Sequence, residues 1–228
     1  MLSVELHAHS ALSYDGRDPV EDLLARARTA GLDALAVTDH DEIDASLEAV
    51  ALAPDYDLVG IPGMEISSAA GHVLALGVEE LIPAQLPFDE TLDRIRSAGG
   101  IAIVPHPFQS SRHGVARHIS RDQLASADAI EVYNSRLLTG LANRKAERFA
   151  EARGIPMTAG SDAHIAEMVA RAVTEVDTDD RSVDAILDAI RAGETSVVGR
   201  RTPWRVSLKQ ALSGVPRRVK HTVLDALP

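Results

Sequence analysis

An α/β barrel is the fold class that three observations predict. Short apolar runs of strand length alternate with helical patterns, Gly and Pro are spread between them as punctuation, and ionisable residues collect where the apolar runs end. A chain of 228 residues fits one large domain and can bury a sizeable core. Strands are predicted over residues 3–7, 33–38, 58–65, 73–78, 101–104, 129–133, 157–160, 172–176 and 195–198. The first helix follows Asp18 as N-cap and Pro19 in the first turn. Its inward face is Val20, Leu23, Leu24 and Ala27, and Gly31 stops it. Residues 88–98, 120–127, 137–153 and 182–192 read as further helices, the last with Val183, Ile186, Leu187 and Ile190 on one face. The predicted barrel domain covers residues 1–198, and residues 199–228 form a basic tail, expected to be helical and packed on the barrel.

Composition excludes several kinds of protein. With no Cys there are no disulfides, thiolate metal ligands or cysteine nucleophile. No apolar run approaches the roughly 18 residues that span a bilayer, so no membrane partner is expected. The N-terminus lacks the basic start and apolar stretch of a secretory signal, which leads to an expected cytoplasmic location. A net charge of −11 disfavours a nonspecific grip on nucleic acid, so no stable duplex binding is expected and an anionic substrate needs local positive charge. The tail runs against this balance, with seven cations facing the single anion Asp225.

The residues that carry chemistry sit at predicted strand ends. His7 and His9 close the first strand, two residues apart and therefore directed to one face. Later strands end in Thr38-Asp39-His40-Asp41, Gly63-Met64-Glu65-Ile66-Ser67, Pro105-His106-Pro107 and Gly160-Ser161-Asp162-Ala163-His164, while Gly71-His72 opens one. In a parallel barrel the C-terminal strand ends converge on one face, where active sites are built. Six of the nine His stand in these clusters, together with Glu65 and Asp162, and packing alone gives no reason for that. Imidazole and carboxylate without thiolate suit Zn²⁺, Mn²⁺ or Fe²⁺.

This order of motifs, with an early Asp15, resembles the polymerase and histidinol phosphatase (PHP) superfamily, from Leu2 to about Val198. In flavour it is similar to small stand-alone phosphoesterases acting on nucleotides and short oligonucleotides. Only residues 108–128 stand where those relatives carry an inserted subdomain. The resemblance implies a distorted TIM-like (β/α)7 barrel with the metal site at the C-terminal strand ends. It also implies two to three divalent ions: one held by His7, His9, Glu65 and Asp162, a second by Glu65, His72 and His106, and a third by Asp15, His40 and His164.

The expected activity is hydrolysis of a phosphate ester, on a nucleotide or a short oligonucleotide end, by metal-activated hydroxide. Arg112 and Arg136, each just after a polar strand end, and Asn134 are candidates for contacting the phosphate. Asp39 or Asp41 could orient an imidazole, and Asp41 could instead cap a helix from Glu42. His113, His118 and His221 read as surface residues. Three alternatives remain: a phosphatase of the histidinol-phosphate type, a metal-dependent amidohydrolase, and a non-catalytic accessory module. The amidohydrolase would want a bridging Lys, and Lys145, Lys209 and Lys220 all lie away from strand ends.

Overall fold

The computed structural model describes residues 1–109, 111, 113–136 and 140–200. The chain runs β1 (Leu2–Ala8), α1 (Val20–Ala30), β2 (Ala34–Val37), α2 (Asp44–Leu52), β3 (Val59–Ile61), β4 (Gly63–Ser68) and β5 (Gly71–Leu76). It continues α3 (Phe88–Ser97), β6 (Ile101–Val104), α4 (Arg121–Leu124), β7 (Ala129–Asn134), α5 (Leu141–Glu151), β8 (Met157–Gly160), β9 (Ala172–Val176), α6 (Val183–Ala192) and β10 (Thr195–Gly199). Arg112 and residues 201–228, and with them the expected helical packing of the tail, lie outside the described residues.

The fold is α/β as predicted, but among the described residues its ladders do not close into one barrel. They form two five-stranded sheets, ordered β10-β9-β1-β2-β3 and β4-β5-β6-β7-β8. The single strand predicted over residues 58–65 is two strands, and the break falls at Pro62, which has no N–H for a ladder. On one side of Pro62, β3 pairs with β2 in parallel; on the other, β4 turns back into β5 as an antiparallel hairpin. β9 likewise runs antiparallel to both of its neighbours. Such antiparallel pairings stand where an all-parallel barrel would have parallel ones. Two isolated parallel bridges, Ala8 with Ala163 and His40 with Glu65, connect the sheets, and both fall at strand ends that carry His, Asp and Glu.

Three apolar clusters follow from this layering. Leu2, Val4 and Leu6 of β1 meet Leu74 and Leu76 of β5 and Ile101 and Ile103 of β6 in an inner core between the sheets, joined by Ile186, Leu187 and Ile190 of α6. α1 and α2 cover the outer face of the first sheet through residues such as Leu23, Leu24 and Ala49. α3, α4 and α5 cover the second through Leu92, Ile95, Leu124 and Phe149. Burial of each Leu or Ile contributes roughly 1.5–3 kcal/mol.

Local signals hold with two differences. Gly31 and Gly193 end α1 and α6 in the left-handed conformation, and Ser120 with Gln123 forms a capping box on α4. Asp18 does not cap α1; its carboxylate receives the Ala166 N–H at 2.6 Å instead. Asp41 does not cap α2 either, because its carboxylate receives the Ser67 N–H at 2.7 Å while Glu42 serves the N–H groups of Ile43 and Asp44. In both places a long-range backbone donor takes the carboxylate from the local one.

Candidate metal centre

Glu65 stands at the centre of the site. β4 delivers it fully buried, and five imidazoles approach its carboxylate. Oε2 lies 3.2 Å from His7 Nε2, 3.3 Å from His9 Nε2 and 3.5 Å from His40 Nδ1. Oε1 lies 2.7 Å from His72 Nδ1 and 3.5 Å from His106 Nε2. A second carboxylate, Asp15, reaches His164 Nε2 at 2.7 Å and His40 Nε2 at 3.7 Å. A third, Asp162, lies 3.3 Å from His164 Nδ1 and 3.9 Å from His9 Nε2. All nine residues singled out in the sequence thus meet in one place. His72, which could have been a solvent-facing turn residue, is buried against Glu65.

The inward aim of His7 and His9 depends on an irregularity in β1. Leu6 belongs to the inner core but Ala8 to the outer one, because the pairing with β2 shifts register between Glu5 and Ala8. A strand in strict alternation would turn His7 to the face opposite Leu6. Two other members, His106 and Asp162, hold left-handed backbone conformations (φ 32° and 50°). Such residues cost on the order of 1–3 kcal/mol each and cluster where function demands them.

The site also contains a carboxylate that sequence reasoning missed. Glu131 of β7 is buried, its Oε1 receives the His7 Nδ1–H at 3.0 Å, and its Oε2 receives the His106 N–H and the Asn134 side-chain N–H, both at 2.9 Å. His7 is thereby held with Nδ1 toward Glu131 and Nε2 toward Glu65. A carboxylate behind a ligating His fixes its tautomer and orientation. The available signal was a lone acid inside the apolar strand Ala129-Ile130-Glu131-Val132, which is costly to bury without partners. Gly160 makes room for the pair: a Cβ there would lie 2.3 Å from Glu131 Oε1 and 2.6 Å from His7 Cβ.

Of the phosphate candidates, Arg136 and Asn134 are at the site. Arg136 Nη1 donates to Asp162 Oδ1 at 3.0 Å and lies 2.8 Å from His164 Nε2, while Asn134 donates to Asp162 Oδ2 at 3.3 Å. Arg112 lies outside the described residues. His113, read as a surface residue, stacks on the His72 ring at 5.0 Å, and Tyr14 stacks on His40 at 4.7 Å. The Asp39 carboxylate receives both the N–H and the hydroxyl of Ser10, holding the segment just past His9, while Asp41 is engaged by Ser67. Lys145 is exposed on α5, so no Lys reaches the site among the described residues.

Electrostatics follow from crowding. Burial alone would raise the Glu65 carboxyl, but His72, His40 and His7 hold it well below the usual range. Burial opposes charge on His7, yet Glu65 and Glu131 push it well above its ordinary value. His40 moves up to about 9 against its own burial, through Glu65, Asp15 and Asp162, whereas burial, Arg136 and His9 push His164 down to about 3.

The donor set fits divalent metal. Among the described residues, buried His9 Nδ1 and Nε2, His40 Nδ1, His72 Nδ1, His106 Nδ1 and Glu65 Oε1 make no hydrogen bond, an expensive state for polar atoms unless a cation joins them. Four groups have ligand atoms within 4.8 Å of one another: His9 with Asp15, His40 and His164; His7 with His106 and Asp162; His7 with His9 and Glu65; His40 with Glu65 and His72. The third and first of these contain the core of two implied ligand sets. The others pair His72 with His40, and His106 with His7 and Asp162, differently from the implied division.

Comparison with known proteins agrees with this picture. The sequence family described as PHP-associated matches residues 140–195. An uncharacterized protein of Methanocaldococcus jannaschii is 30% identical over 152 residues, covering 62% of this chain and 87% of that protein. The phosphoribosyl 1,2-cyclic phosphate 1,2-diphosphodiesterase of Eggerthella lenta is 36% identical over 86 residues, 35% of this chain and 32% of the enzyme. Among solved structures, a two-domain protein from Bacteroides vulgatus that contains a predicted PHP-like metal-dependent phosphoesterase superposes with a TM-score of 0.74 at 22% identity. That match covers 87% of this chain, which spans 65% of the larger protein. Where these comparisons name a family it is PHP, as the PHP-associated family over residues 140–195 and as the PHP-like fold of the solved structure. No helix among the described residues is long and apolar enough to cross a membrane.

Proposed function

We propose that this protein is a metal-dependent phosphoesterase that hydrolyses phosphate esters of nucleotides or short oligonucleotide ends. The observation that carries the reading is Glu65 with five imidazoles within 3.5 Å of its carboxylate, a donor array with no use in packing. His7, His9, Asp15, His40, Glu65, His72, His106, Asp162 and His164 would hold two to three ions of the Zn²⁺, Mn²⁺ or Fe²⁺ type, with Glu65 shared. When bound, such ions supply Lewis acidity toward phosphoryl oxygen and lower the pKa of water.

The protein's own groups do the positioning. Glu131 keeps His7 Nε2 aimed at Glu65, and Asn134 keeps the Asp162 carboxylate turned into the site. Arg136 brings a fixed positive charge with several N–H donors to the edge of the cluster, suited to the non-bridging oxygens of a phosphate. This local cation answers the need set by the net charge of −11.

A phosphate-release screen of protein loaded with Mn²⁺, Zn²⁺ or Fe²⁺ tests the reading. Mononucleotides, nucleoside bisphosphates, short oligonucleotides and histidinol phosphate form one panel, and amide substrates the other. Release from the nucleotides, with KM raised about tenfold in Arg136→Gln and metal content retained, is the expected result. Amide hydrolysis without phosphate release would overturn it.

A further inference from the structure

Glu5 is a buried carboxylate outside the nine-residue cluster, and no part of the chemistry above uses it. It has no exposed surface, sits two residues before His7, and faces backbone donors instead of a cation. Oε1 receives the His7 N–H at 3.2 Å and the Ser161 N–H at 3.0 Å, and Oε2 receives the Ala170 N–H at 3.1 Å. The same Ser161 holds the next segment through its hydroxyl, which receives the N–H groups of Arg171 and Ala172 at 2.8 and 3.0 Å.

Each contact falls where regular structure gives way. The His7 N–H is taken at the point where β1 slips register against β2, the slip that lets His7 and His9 face inward. Ser161 directly precedes Asp162, and both Asp162 and Ala170 have left-handed backbones (φ 50° and 69°). One carboxylate therefore joins the strand end bearing His7 and His9 to the loop bearing Asp162 and His164, two segments more than 150 residues apart. Backbone bonds of His9 N–H to Ala163 O (2.7 Å) and Ala163 N–H to His7 O (3.3 Å) complete that seam.

We propose that Glu5 is a positioning residue for the metal centre: by receiving the N–H groups of His7, Ser161 and Ala170 it sets the distance and angle between the two ligand-bearing segments. This rests on the reading above only in taking His7, His9, Asp162 and His164 as ligands. Glu5 acts through these residues and contacts neither metal nor substrate. A general stabilising role would instead spread its effect over the whole domain.

Mn²⁺ titration followed by calorimetry separates the two roles, using Glu5→Met, Glu5→Gln and Glu5→Asp beside Leu92→Ala, a buried α3 residue of the outer apolar cluster that carries no ligand atom. Glu5→Met, which removes every acceptor, should weaken Mn²⁺ binding 10–100-fold, the range seen when groups behind metal ligands are lost. Glu5→Gln keeps an acceptor for His7 and Ser161 and should restore binding to within about threefold of wild type. Leu92→Ala should lower Tm and leave Mn²⁺ affinity unchanged.

If Glu5→Met does not fold, Glu5→Asp, one methylene too short to reach all three donors, should show the loss. Amide exchange supplies a readout free of metal: in the wild type the His7, Ser161 and Ala170 amides should be protected, and Glu5→Asp should lose that protection at these three first. Wild-type Mn²⁺ affinity in Glu5→Met or Glu5→Asp, or unprotected amides in the wild type, would overturn the proposal. Absence of Mn²⁺ binding by the wild type itself would instead count against the proposed function, and the exchange result would still decide the role of Glu5.

Discussion

The two ends of the space between the sheets share β1, β5 and β7 and have opposite chemistry. At one end Leu2 and Leu76 pack with Ile101 and the inward face of α6. At the other, β1 delivers His7 with His9 just beyond it, β4 delivers Glu65, and β7 delivers Glu131 and Asn134. The apolar end gains free energy from every side chain it buries, whereas the ionisable end holds buried carboxylates and imidazoles whose desolvation is offset only by one another and by a cation. The difference teaches that this scaffold separates stability from chemistry along the strand axis. Substitutions at the two ends should therefore fail in different assays.

The largest effect is expected at the ionisable end. Glu65→Gln removes the charge shared by five imidazoles while keeping the volume. Phosphoester turnover should fall on the order of a hundredfold or more, while the circular dichroism spectrum keeps its native form. Near-wild-type turnover would break the comparison. The mirror experiment is Leu76→Ala, a fully buried residue of the inner core, which should cost about 2–5 kcal/mol in denaturant unfolding with Mn²⁺ affinity intact. A loss of Mn²⁺ binding at unchanged stability would show that the ends are not separate.

Gly160→Ala sharpens the boundary between them. Its methyl group would displace Glu131 from His7, so metal affinity should drop about 10–100-fold, more than Tm suggests, and imidazole NMR should report a changed His7 tautomer. The smallest effect belongs to the surface. Asp57 is exposed and its carboxyl is depressed by the hydrogen bond and charge of Arg28, with help from Arg181. A depressed carboxyl adds stability above its ordinary value of 3.8 and loses it as pH falls through the lower folded value. Asp57→Asn should accordingly lower Tm slightly at neutral pH and low salt. The difference should vanish in acid or at high salt, where exposed pairs are screened.

The amino-acid sequence by itself determined the α/β class, most of the strands and helices and the placing of eight of the nine ionisable residues at or beside strand ends, because periodicity, glycine stops and residue type are local properties; Asp15, in the connection after β1, was indicated only by the family resemblance. His72 and Arg136 were legible only as candidates, and contacts between neighbouring strands of the second sheet place His72 at Glu65 and Arg136 at Asp162. What tertiary structure alone decided is where the ladder breaks and which way side chains turn. Pro62 was visible in the sequence, but that the chain changes sheets there depends on which partners β3 and β4 find. The register slip that turns His7 inward, the pairing of Glu131 with His7, and the hold of Glu5 on Ser161 and Ala170 join residues distant along the chain. Such features are set by the satisfaction of buried donors and acceptors after the sheets have met, and no local pattern encodes which distant amide a buried carboxylate will receive.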